Sequence, residues 1–142
     1  MADYQKSYDQ FLKGGNALQV YEAEQLIFSS NKEMLAPLLE YIEKFAHHHN
    51  KVVVFDKIMG NAAALLCVIA NCGEVYSPLG SEVAIKTLTK YGIAYHITKV
   101  VPYIQKTTMT ELCPMEKLSI GKEPEEFYQM VKLDKSKGKP QC

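Results

Sequence analysis

The residues of this chain best placed for chemistry are Asp56 and Lys57, which follow the apolar run 52–55 and precede Gly60 and Asn61. A carboxylate there can orient a hydroxyl or amine, and an ammonium can hold an anion. A helix opening at Gly60 and Asn61 would add free N–H groups at the positive end of its dipole. Ser81 and Glu82 open a later helix that falls on the same sheet edge, where capping and dipole compensation also account for them. Cys113 and Glu116, in the stretch LCPMEKL (112–118), border the expected pocket. These eight residues form the candidate ligand-binding set. No residue is assigned a catalytic role.

Other reactive side chains have simpler explanations. His47, His48 and His49 are consecutive, so at a helix end they point in different directions and do not share one metal ion. A cationic run favoured by the helix C-terminus explains them. Cys67 sits among leucines and alanines as a small buried residue, and four residues separate it from Cys72, not the two of a metal or redox motif. Cys113 precedes a proline, as at a turn, and no histidine is near in sequence to activate it.

Composition narrows the partners. Sixteen basic residues, all lysine, balance sixteen acidic ones. The chain therefore has no net field to attract nucleic acid or an anionic membrane, and no arginine to clamp a phosphate bidentately. The four cysteines form no disulfide framework, which favours a reducing cytoplasm. The longest apolar run, 62–70, falls short of the roughly 20 residues that cross a bilayer. No cofactor is expected, and the composition leaves room for a small anionic ligand and for a homo-oligomer.

The elements that must position these residues follow from periodicity. Tyr4, Tyr8, Phe11 and Leu12 have helical spacing, ended by Gly14 and Gly15. Residues 17–21 and 25–29 read as two strands of a hairpin joined by a short turn at Glu22 and Ala23, and a helix starts near Pro37. Residues 51–59 read as a strand whose apolar run, 52–55, is that of a strand buried on both faces. The helix 60–71, apolar almost all round, is expected to cap at Gly73 and to pack between the sheet and its neighbours or against a second subunit. A short strand 74–77, a helix 82–91 ended by Gly92, and a strand 93–101 complete a β-α-β-α-β run with a parallel sheet. Residues 99–116 have no clear period. A helix at 124–133 closes a single domain, 1–133, and the lysine-rich tail 134–142 is expected to be disordered.

This order resembles the cytidine-deaminase-like α/β/α sandwich, with a mixed sheet of about five strands. The segments DKIMGNAAALL (56–66), EVYSPLGSE (74–82), VVPYI (100–104) and LCPMEKL (112–118), in that order and spacing, resemble a small prokaryotic family, domain of unknown function 1893. Zinc deaminases carry a His or Cys two residues before a glutamate at one helix start and Pro-Cys-x-x-Cys at the next. Here those positions fall near 30–33 and 58–61, without His or Cys. The resemblance thus implies the fold without zinc and without deaminase activity. The reading is a zinc-free domain binding a nucleotide or sugar-phosphate at the carboxyl edge of the sheet. The alternative is a scaffold or interaction domain with a vestigial pocket.

Overall fold

In the computed structural model, which describes residues 3–32, 34–45, 48–104 and 114–133, the chain forms a five-stranded mixed sheet between two layers of helix. The elements are α1 (Gln5–Lys13), β1 (Leu18–Glu22), β2 (Gln25–Ser30), α2 (Ala36–Phe45), β3 (Val52–Asp56) and α3 (Asn61–Ile69). They continue as β4 (Cys72–Ser81), α4 (Glu82–Lys90), β5 (Ala94–Val101), α5 (Pro114–Ser119) and α6 (Pro124–Leu133). The strand order is β2-β1-β3-β4-β5. The hairpin is antiparallel and joins β3 antiparallel through β1, while β3, β4 and β5 run parallel.

Alternation along β3 sorts the two layers, because successive side chains of a strand point to opposite faces. Val53 and Phe55 face α1 and pack with Tyr4, Tyr8, Phe11 and Tyr21, with Tyr76 against them. Phe55 lies at the centre, its ring 4.9–6.0 Å from five other aromatic rings. Val52 and Val54 face the opposite layer, where α2, α3, α4 and α6 share one core.

Helix α3 lies in the middle of that layer and contacts α2, α4, α5, α6 and β4. Every residue from Asn61 to Cys67 is buried, so its all-round apolar character is satisfied within the chain. Three alanines in its first turn let it lie close to its neighbours. Ala63→Leu should therefore lower stability by ~1–3 kcal/mol through overpacking. A urea midpoint unchanged by the substitution would show that this layer has slack.

Three features differ from the sequence expectation. The hairpin turn falls at Ala23 and Glu24, both at positive φ (50° and 67°), a geometry that usually selects Gly or Asn. Gly73 is not a cap. Ala70 caps α3, Asn71 takes the left-handed position (φ 60°), and Gly73 already belongs to β4. Strand β4 also continues past Ser77 through Pro78 to Ser81. The β3–β4 ladder ends at Phe55 and Tyr76 and resumes only as the bridge between Met59 and Gly80, so Pro78 falls in the gap between them.

Candidate functional site

Three chain segments meet at the start of α3. Glu116, on α5, is 1% exposed and places its carboxylate across two backbone donors. Its Oε1 accepts the N–H of Asn61 at 2.5 Å and its Oε2 accepts the N–H of Ile104 at 2.6 Å. Asn61 is the first residue of α3, where the helix leaves N–H groups without internal partners and carries partial positive charge. A carboxylate is the side chain best suited to that place. The approach is close: a Cβ on Gly60 would lie 3.2 Å from Glu116 Oε1 and 3.0 Å from Ile104 Cγ1.

The side chain of Asn61 extends the same network. Its Nδ2 donates to the carbonyl of Ser119 at 3.2 Å and to Ser119 Oγ at 3.1 Å, and its Oδ1 accepts from Thr87 Oγ1 on α4. Ser119 Oγ donates in turn to the carbonyl of Glu116 at 2.7 Å. Gly60, Asn61 and Glu116 are thus brought together, with the Asn61 amide bonded to Glu116 itself. Thr87, Ser119 and Ile104 join them without any sequence signal, since a Thr on an amphipathic helix and a Ser in an aperiodic stretch look like ordinary surface residues.

Asp56 and Lys57 leave the end of β3 on opposite faces. Lys57 turns toward α1, where its Nζ donates to the carbonyl of Gly14 at 3.2 Å and lies 4.8 Å above the centre of the Phe11 ring. It closes the C-terminal end of α1, where cations are favoured. Asp56 turns toward the other layer, on the side of Val52 and Val54. The residue is half-buried, and removal from water raises its carboxyl to about pKa 7, against the lowering effect of the N–H groups of Ile58 and Lys57. The Ile58 N–H lies 3.4 Å from Asp56 Oδ1. Among the described residues no lysine offsets the burial, and the adjacent one, Lys57, crosses to the far side of the sheet.

The remaining members divide between structure and surface. Ser81, fully buried, caps α4 by accepting the N–H of Ala84 at 3.0 Å, and its own N–H donates to the carbonyl of Met59 at 3.1 Å. Glu82 is exposed in the first turn of α4. Cys113 lies outside the described residues. Of the expected histidine run, His47 also lies outside them, while His49 Nδ1 meets Glu22 Oε1 at 2.8 Å and ties the segment before β3 to the hairpin. Cys67 is fully buried, with its thiol pushed well up by the neighbouring Cys72 and by burial. Among the described residues, no three His, Cys, Asp or Glu side chains converge as a metal site would require, and no helix is long and apolar enough to cross a membrane.

A three-layer α/β/α sandwich with a mixed five-stranded sheet, and a buried carboxylate closing one helix start at its carboxyl edge, is the class of protein these features define. The chain belongs to the DUF1893 family, a domain of unknown function, whose family model matches residues 7–134. It is similar in structure to a DUF1893-family protein from Thermotoga maritima, with a TM-score of 0.81 and 26% sequence identity over 92% of this chain and 88% of that one. No curated protein matches the chain.

Proposed function

We propose that this protein binds a small polar molecule at the carboxyl edge of the sheet, without zinc, and that Asp56 is the group that recognises it. The observation that carries this reading is the Asp56 carboxyl itself, half-buried at the end of a central strand with weak backbone partners and a pKa raised to about 7. Ionisable groups perturbed in this way gather at sites of binding and catalysis, and open α/β sheets place their ligands at this edge.

The ligand is better matched by hydrogen-bond donors than by negative charge. Each positive feature expected to hold an anion has a partner inside the chain. The Asn61 amide and the start of α3 hold Glu116, Ser81 caps α4, and Lys57 serves Gly14 and Phe11. Asp56 is left to accept from a hydroxyl, amine or amide. This favours the unphosphorylated part of a nucleoside or sugar over its phosphate. In the deaminase-like reading, the second zinc motif would open α3, and here Gly60, Asn61 and Glu116 occupy that place.

A thermal-shift screen tests this with nucleosides, polyols and primary amines set beside inorganic phosphate and nucleotides. Donor-bearing compounds should raise the melting temperature more at pH 8, where Asp56 is ionised, than at pH 5. Asp56→Asn should remove that response. Stabilisation by inorganic phosphate that survives Asp56→Asn would overturn the reading and return the site to the anion.

A further inference from the structure

The two edges of the sheet are built differently. At the β2 edge the ladder to β1 shifts register between Val20 and Tyr21, with Ile27 left over as a bulge, a common device against strand addition. At the other edge, β5 pairs with β4 from Ala94 to Val101 with no register shift. It is free of proline and carries one lysine, Lys99. Six of its eight residues are exposed, and only Ile97 and Val101 are half-buried. Tyr95 is 40% exposed and Val100 45%, and Tyr103, two residues past the strand, is 43% exposed. A long, regular and partly apolar edge is where a further strand adds.

We propose that this edge is an interface and that its occupant is β5 of a second copy of this chain, joined antiparallel about a two-fold axis to give one ten-stranded sheet. The chain has sixteen positive and sixteen negative residues, so no net repulsion opposes the approach of two copies. An isologous two-fold contact needs a strand that complements itself, and β5 does. An axis perpendicular to the sheet keeps each face continuous, so facing residues must share a face. Tyr95 pairs with Val75 and Ile97 with Ser77 in the β4 ladder, while His96 pairs with Tyr76. Tyr95, Ile97 and Lys99 therefore share one face, and Ala94, His96, Thr98 and Val100 the other.

Centred on Ile97, this arrangement sets Tyr95 opposite Lys99 of the second copy, Ala94 opposite Val100, and His96 opposite Thr98. Each lysine stem then covers an aromatic ring, each small residue meets a larger one, and no two cations face each other. The interface does not depend on the site at Asp56.

Sedimentation velocity and light scattering on the full chain test the proposal. The wild type should have twice the 16.0 kDa chain mass at high concentration and dissociate on dilution. Tyr95→Lys would set an ammonium against Lys99 of the second copy and should halve the mass while leaving the circular dichroism spectrum unchanged. Adding Lys99→Glu would turn the repulsion into two ion pairs and should restore the dimer. Val100→Lys, on the opposite face, provides a second disruption should Tyr95→Lys fail to fold. A wild type that stays monomeric at every concentration, including one that captures only a foreign strand, overturns the proposal. So does a dimer indifferent to both lysine substitutions, or a double variant that is not rescued.

Discussion

Glu116→Ala is expected to be among the most damaging single changes in this protein, lowering its stability by ~3–5 kcal/mol. The carboxylate is 1% exposed and accepts two backbone N–H groups, from Asn61 and Ile104. Truncation leaves both donors buried without a partner, and each such group costs about 1–3 kcal/mol. It also opens a cavity beside Gly60, whose lack of a side chain makes room for the carboxylate. Glu116→Gln should cost less, about 1–3 kcal/mol, because the amide keeps one acceptor and turns its NH2 toward the other donor. Chemical denaturation gives both values. Native-state hydrogen exchange at the Asn61 and Ile104 amides locates them, with faster exchange expected in the alanine variant. A near-normal denaturation midpoint for Glu116→Ala would mean that both amides reach water and that α5 does not anchor the start of α3.

The contrast between Glu116 and Lys57 shows what the sequence could and could not disclose. The layer order was readable because hydrophobic period is a local property. The apolar run at β3, the all-round apolar α3 and the stripe of α4 each announce their element, and the Ser81 cap and Pro124 mark helix starts that the structure reproduces. The parallel core with an antiparallel hairpin then follows from connection lengths. Side-chain direction at the end of a strand is also local, yet Asp56 and Lys57 were expected to serve one site, and alternation sends them to opposite faces of the sheet.

What lay out of reach was contact across long separations. Glu116 meets Asn61 over 55 residues and Ser119 meets it over 58, while Lys57 meets Gly14 over 43. A helix start that looks open to an anion in the sequence is closed by an acid from a segment with no period of its own. Helix α5, six residues long, is too short to announce itself. The Gly73 cap failed for a related reason, since Asn71 adopts the left-handed conformation nearly as well and lies nearer the helix end.

The second large effect is a gain in stability. Asp56→Asn should make the protein more stable than the wild type at pH 8, by ~2–4 kcal/mol, and leave it about equal at pH 4. The sign follows from linkage. The carboxyl titrates near 3.8 in the unfolded chain and at about 7 in the folded one, so between those values the native state binds the proton that the unfolded state has released. Stability contributed by the protonated form is complete below pH 3.8 and is lost as the pH rises through about 7. Each unit of difference corresponds to about 1.4 kcal/mol, and partial exposure keeps the total below the full product. Asparagine cannot ionise, so it avoids the loss.

Melting temperatures of both proteins at pH 4, 6 and 8 check this, the curves being expected to diverge between about pH 4 and about pH 7 and to run parallel above that. Curves parallel throughout would show that Asp56 is solvated and carries no burial penalty. A residue that lowers stability at neutral pH, where its amide isostere would not, is most economically explained by what its charge does for a bound molecule. The same variant should lose the donor-bearing ligand in the thermal-shift screen, so stability gained and binding lost at one atom would locate the site.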